Sequence, residues 1–297
     1  MDSSYFLPIF CEMFLFVLSE GSYHSPVRHT EQGQVRGKRH HVEGGHVVEK
    51  YLGIPYAQPP VGPLRFKYPA PPLHRTADIL DATVLPPACL QSRDGVQYIE
   101  VYVPGFNRTS ENCLYLNIYV PVVPEQNRKL LPVMVFIHGG SYRSGMGAMF
   151  DGTVLATYGV VVVTFNYRLG PLGFLSAADP DIPGNYGLFD QLEVLKWVNT
   201  NIKHFDGDPD RVTVDGHSAG GCSVGILSVS PLAKGLFNRV IGQSGSIFAN
   251  WAMSRHQTRP SFYFRDFTVF RGMFGNTTKE IKNDVFKTLH PAKSRTH

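Results

Sequence analysis

One stretch limits the fold more than any other: Val212-Thr-Val-Asp-Gly-His-Ser-Ala-Gly-Gly-Cys-Ser-Val-Gly-Ile-Leu227. Val212 and Val214 alternate with polar neighbours, as in a short strand. The chain then turns through Gly216-His217-Ser218-Ala219-Gly220 and runs on as a helical series of small and apolar residues. Gly-x-Ser-x-Gly between a strand and a helix is a nucleophile elbow. Such a turn is so tight that a side chain at Gly216 or Gly220 would strike the neighbouring strand or helix. It holds the Ser218 hydroxyl clear of the sheet at a helix N-terminus, where dipole and free N–H groups favour developing negative charge. The pentapeptide alone reads equally well as a Gly/Ser loop, so its surroundings decide.

Upstream, Leu131-Pro-Val-Met-Val-Phe-Ile-His-Gly-Gly-Ser141 is a continuous apolar run ending in His-Gly-Gly. A buried parallel strand feeding an oxyanion-hole loop reads this way. A second buried strand, Gly159-Val-Val-Val-Val-Thr-Phe165, and a helix lie between it and the elbow. Alternation of strands and helices predicts an α/β chain with a mostly parallel central sheet.

The chain has 297 residues, 43% of them apolar, which is enough for one large core. A net charge of +4 argues against a nucleic-acid partner. Nine Lys/Arg against three Asp/Glu after Trp251 read as a solvated face. No His/Cys/Asp/Glu spacing suggests a metal, and no motif calls for a cofactor.

At the N-terminus, Tyr5 to Leu18 is apolar but shorter than the roughly 20 residues that span a bilayer. Residues 1–21 read as a secretory signal, with Ser19 and Gly21 at the cleavage site, and 22–297 as the mature domain. Asp2 and Glu12 keep two alternatives open, a membrane-anchoring segment and a mis-assigned start codon. Cys11 would leave with the signal. Cys89 and Cys113 bracket the polar loop Leu90 to Asn112, and a disulfide there suits an oxidising compartment. The loop carries the glycosylation sequon Asn107-Arg-Thr, and Asn276-Thr-Thr is a second. Cys222 is either a small buried residue or a free thiol.

In chain order, residues 33–55 predict a hairpin turning at Gly44-Gly45. Pro55 to Phe66 is a proline-rich segment wrapped over the surface. Cys113 to Pro121 is expected as an alternating strand, and Asn166 to Leu175 as a loop dense in Gly and Pro. From Tyr186 to Lys203 an amphipathic helix is expected, capped by Asn185. Its stripe is Leu188, Leu192, Leu195, Val198, Asn199 and Ile202, with Glu193, Lys196 and Asn201 elsewhere. Asn238 to Gly245 closes the readable part as one more short parallel strand.

Several phrases, in order, carry a family resemblance: Leu52-Gly-Ile-Pro-Tyr-Ala, Pro60-Val-Gly-Pro-Leu-Arg-Phe, Glu111-Asn-Cys-Leu-Tyr-Leu-Asn, Asn166-Tyr-Arg, Gly184-Asn-Tyr-Gly-Leu-Phe-Asp-Gln and Gln243-Ser-Gly. Residues 33 to about 253 resemble the type-B carboxylesterase and cholinesterase family. That resemblance implies the N-terminal part of an α/β-hydrolase fold, with antiparallel strands ahead of the parallel ones and helices on both faces. It implies Ser218 as nucleophile, backbone N–H groups of Gly140, Ser141 and Ala219 as oxyanion hole, and Cys89–Cys113 as the family's first disulfide. The partner expected is a small-molecule ester, and the location is outside the cell or on the membrane's outer face.

Four departures from the family pattern stand out. Ser141 replaces the third glycine of the oxyanion loop, where one lost donor costs on the order of 3 kcal/mol in the barrier. His217 replaces the usual Glu before the nucleophile. The Cys89–Cys113 loop has Tyr98, Tyr102 and Phe106 but no Trp to seat a quaternary ammonium, which disfavours choline esters. Finally, His138-Gly-Gly-Ser-Tyr142 and the Asn-Tyr-Gly of Gly184-Asn-Tyr-Gly resemble the neuroligins, the adhesion branch that has lost its nucleophile; here Ser218 remains.

A triad on this fold runs Ser, then Asp/Glu, then His, and 79 residues follow Ser218. The resemblance implies that the acid and histidine lie further on than that, so the chain is expected to be an incomplete form. Asp266, Glu280 and Asp284, and His256, His290 and His297, are the downstream candidates; none follows a buried strand. His217 adjoins Ser218 on the elbow and is not its base, and His138 is expected to order the oxyanion loop. Three readings remain: a serine esterase acting through an acyl-enzyme, a neuroligin-like protein using the scaffold to bind an extracellular partner, and a catalytically dead fragment with no function of its own.

Overall fold

Runs of β-branched residues are stiff at χ1 and fit a pleated, buried surface. In the computed structural model, which describes residues 24–75, 78–124, 126, 129–176, 182–249 and 252, they become the centre of one twisted sheet. The N-terminal elements are β1 (His24–Thr30), β2 (Gly33–Val42), β3 (His46–Pro55), β4 (Leu80–Asp81), β5 (Ala88–Cys89), α1 (Arg93–Tyr102) and β6 (Thr109–Ser110). Then follow β7 (Tyr115–Pro121), β8 (Leu131–Ile137), α2 (Thr153–Ala156), β9 (Val161–Phe165), α3 (Gly170–Phe174), α4 (Tyr186–Asn201), β10 (Gly207–His217), α5 (Ala219–Val229) and β11 (Arg239–Gln243).

The main sheet runs β1-β2-β3-β7-β9-β8-β10-β11, with β4 beside β2. Pairing is antiparallel from β1 through β9 and parallel over β9, β8, β10 and β11. From β8 the chain crosses to β9 on one side and later returns to β10 on the other. The carboxyl ends of β8 and β10 therefore flank a topological switch point, where open α/β sheets leave a crevice for ligands.

Side-chain parity separates the two faces. Ile118, Val161, Val163, Val133 and Val135 share a core with Leu195 and Val198 of α4 and Val224 of α5. Tyr119 and Val162 point the other way and pack with Ala156 of α2. Helices thus cover both faces, as the α/β-hydrolase reading expects.

Several expectations are corrected. The alternation expected of β7 gives way to burial on both sides, because α2 covers the face bearing Tyr119. The Gly/Pro-dense loop contains α3, which Pro171 suits because its missing N–H falls in the first turn. Asn185 does not cap α4 with its side chain; it is left-handed at φ 59°. That helix ends at Asn201 and tightens into a 3-10 turn over Ile202–Phe205, and the stripe is shifted: Asn201 is buried and Asn199 exposed. The proline-rich segment exposes Pro59 and Val61, yet anchors itself through buried Tyr56 and Phe66. At the far edge, all five residues of β11 are exposed.

The polar-looking strand β1 is held by charge. Arg28 donates to Glu49 at 2.9 Å and pairs with Asp206 at 2.9 Å, while Arg39 reaches the other Glu49 oxygen. Glu49 is 2% exposed, and two guanidiniums and the Tyr51 hydroxyl supply the partners that a buried carboxylate needs.

Candidate active site

Strand β10 lies between β8 and β11 in parallel register, Gly216 opposite Ile137 on one side and Gly242 on the other. Immediately past it the chain reverses into α5, and the two elbow glycines allow this. A methyl at Gly216 would fall 2.3 Å from the Gly220 carbonyl oxygen, and one at Gly220 would fall 2.0 Å from that of Ile137. Ser218 sits at the apex with φ 56° and ψ −119°, a conformation that L-residues avoid unless their surroundings impose it. What imposes it is visible: the Ser218 N–H donates to the Gln243 carbonyl at 2.7 Å, and its own carbonyl accepts from Cys222 N–H at 3.1 Å. Ser218 is half-buried, and the first N–H groups of α5, beginning with Ala219, have no partner within their helix.

The loop after β8 folds against this apex. A methyl on Gly139 would lie 3.0 Å from Ser218 Cβ and 2.7 Å from the His217 carbonyl oxygen. Gly140, Ser141 and Tyr142 follow with φ of 102°, 56° and 60°. The turn is closed by the Gly140 carbonyl, which accepts from Arg143 N–H at 2.9 Å and Ser144 N–H at 3.0 Å. Ser141 points to solvent. Tyr142 is tied back on three sides: its ring meets Phe174, its carbonyl accepts from Gly170 N–H, and its hydroxyl accepts from Ser223 of α5 at 3.3 Å. Burial pushes the Tyr142 hydroxyl up to about 12, so it stays protonated.

His138 begins the loop and is 1% exposed. Its Nδ1 lies 2.8 Å from the Gly139 carbonyl, its ring stacks on Tyr167, and its own carbonyl accepts from the Tyr167 hydroxyl at 2.8 Å. Burial pulls the imidazole down to about 4, so it is neutral near pH 7. With Nδ1 as donor, the buried Nε2 has no partner among the described residues. These contacts hold His138 in place and order the loop that it begins.

The structure thus sets Gly139 against Ser218, with Gly140 and Ser141 following it in the chain and Ala219 opening α5. Cys89 and Cys113 are joined in a disulfide, and Asn107 is exposed in the loop it closes. Cys222 is a buried free thiol whose Sγ lies 3.1 Å from the Ser246 carbonyl. The 1–21 segment, Cys11, Asn276, and the acid and base candidates Asp266, Glu280, Asp284, His256, His290 and His297 all lie outside the described residues. Among the described residues no cluster of three or more His, Cys, Asp or Glu could hold a metal. A small pocket beside the disulfide is lined by Arg65, Glu111 and Leu172 and by no elbow residue.

Sequence reasoning missed what supports the site. Asn166 accepts from Gly147 N–H and donates to the Pro87 and Cys113 carbonyls, so the Asn166-Tyr-Arg phrase joins three segments at one point. Gln91 does the same between the disulfide loop and Gly145. Asp215, raised by burial and held by the Gln243 amide, braces β10 against β11.

The carboxylesterase family pattern matches residues 24–291. The chain is 42% identical over 271 residues to Neuroligin-2 of Mus musculus, covering 80% of this chain and 32% of that protein. It is 48% identical over 229 residues to Cocaine esterase of Homo sapiens, covering 74% and 40%. A solved structure named PNB esterase superposes with a TM-score of 0.64 at 47% identity, covering 74% of this chain and 44% of that one. The chain therefore spans between about a third and two fifths of the length of the curated relatives it matches. On sequence pattern, identity and fold together, the chain belongs to the carboxylesterase family.

Proposed function

We propose that the protein is a carboxylic-ester hydrolase of the serine type, acting on small-molecule esters through an acyl-enzyme. The observation that carries the reading is Ser218 itself, held at φ 56° on the elbow with the Gly139–Ser141 loop against it. Ser218 Oγ attacks the ester carbonyl carbon as its proton passes to a base. The resulting oxyanion is met by the N–H groups of Gly140, Ser141 and Ala219, collapse expels the alcohol, and water then releases the acid. We assign the base to no described residue: His138 is buried and neutral, and His217 adjoins the nucleophile. The buried disulfide and exposed Asn107 support a secreted or extracellular protein, since such crosslinks persist in oxidising compartments.

A fluorophosphonate reporter tests the reading, because it phosphonylates only an activated serine. Ser218 should carry the adduct and Ser218→Ala should carry none. A second reading, an adhesion protein, draws on the 42% identity to Neuroligin-2 and on Ser141 in the loop. No labelling of Ser218 together with saturable binding of an extracellular protein would replace the first reading with the second.

A further inference from the structure

Gln91 lies two residues past Cys89 and is 5% exposed. Its Nε2 donates to the Cys89 carbonyl at 2.9 Å and the Gly145 carbonyl at 3.0 Å, and its Oε1 accepts from Gly145 N–H at 2.8 Å. One side-chain amide thus satisfies both polar groups of a single loop residue. Gly145 is the exit of the turn that carries Gly140, Ser141 and Tyr142, all three left-handed and two of them bearing side chains. A backbone in that conformation holds only if both ends are fixed from outside. The entrance is fixed by Tyr167 on the His138 carbonyl and the exit by Gln91. Behind Gln91, Gly95 of α1 closes the space: a methyl there would fall 2.7 Å from Gln91 Oε1 and 3.0 Å from Ser144 Cβ.

We infer that Gln91 is a positioning residue for the N–H groups facing Ser218, and that the Cys89–Cys113 disulfide acts on the site through it. The inference rests on Ser218 being the nucleophile. The Cys89 carbonyl is the third partner of the amide, so the crosslink fixes where the amide stands and the amide fixes where the turn ends. Loss of the clamp frees the turn to relax and misaligns donors that must meet the developing oxyanion; it does not change what fills the crevice.

The test is the rate of Ser218 phosphonylation by a fluorophosphonate in the whole chain, resolved into reversible binding and the chemical step. Gln91→Ala should slow the chemical step on the order of tenfold to a hundredfold, with binding unchanged. Gln91→Glu gives a signature that a merely structural role would not produce. A protonated carboxyl can donate to Gly145 O and accept from Gly145 N–H, whereas a carboxylate can only accept, so its deficit relative to wild type should close as pH falls. Reducing the disulfide should slow labelling in wild type and add little in Gln91→Ala. Wild-type chemical rates in Gln91→Ala, a loss only in the amount of folded protein, or fully additive effects of reduction would overturn the inference. If wild-type Ser218 takes no label at all, the esterase reading fails instead, and hydrogen exchange over residues 139–146 decides. Faster exchange in Gln91→Ala supports the clamp, and unchanged exchange refutes it.

Discussion

Arg168 and Asp190 form an ion pair closed off from solvent, with Arg168 Nη2 and Nε at 2.7 and 2.8 Å from the two carboxylate oxygens. The Arg168 backbone N–H joins at 3.0 Å, and the guanidinium also donates to the Lys67 carbonyl. The pair ties the segment after β9 to the first turns of α4, and so fixes α3 beneath Tyr142 and the loop that approaches Ser218. Breaking a buried pair strands a charge. Asp190→Ala is expected to cost about 3–5 kcal/mol, whereas Arg168→Met with Asp190→Leu should cost much less. Urea denaturation of the two variants checks this, and equal losses in the single and double variants would contradict it.

The loop after β8 should lose stability at low pH through His138. The folded protein holds this ring neutral down to about pH 4, while the unfolded chain takes up a proton below its ordinary value of 6.5. A depressed folded value means that the contribution is intact above pH 6.5 and is lost as pH falls toward 4. The full loss is about 3 kcal/mol by linkage. Denaturant midpoints at pH 7 and pH 4.5 should therefore differ less in His138→Asn than in wild type. A wild-type slope no steeper than the variant's would remove His138 as the cause.

Gly220→Ala should damage both stability and reactivity. The added methyl meets the Ile137 carbonyl, a backbone atom that cannot swing aside. The expected cost is about 1–3 kcal/mol, as for other overpacked interior sites, and Ser218 labelling should fall with it. A variant with wild-type melting and labelling would show that elbow and strand are less tightly apposed than described.

Ser141→Gly tests whether only the backbone matters there. Ser141 is exposed and left-handed, so glycine relieves its conformational cost while adding freedom to the unfolded chain. The two effects nearly offset, and stability should change by no more than about 1 kcal/mol. Ser218 labelling should be at least as fast. A marked slowing would mean that the hydroxyl itself takes part.

Most of the site's frame was legible because its signals are local. The β-branched runs became β8 and β9, and the spacing of Gly216, Ser218 and Gly220 marked the elbow. What stayed hidden depends on partners far off in sequence. Nothing near Gln91 points to Gly145, 54 residues away. Strand β1 went unread in the sequence, and its Arg28 finds Glu49 and Asp206 only in the fold. The alternation expected of Cys113 to Pro121 failed at Tyr119, because a polar-tipped ring can fill an apolar face once α2 covers it.

The account turns on Ser218 being acylated, and a burst experiment measures that most directly. Acylation by p-nitrophenyl acetate releases nitrophenol before any acid is set free, so the first turnover is seen even where later ones are slow. A rapid release approaching one equivalent per chain is expected, and its loss in Ser218→Ala. Release that is absent in the wild type, or that persists undiminished in Ser218→Ala, would contradict it.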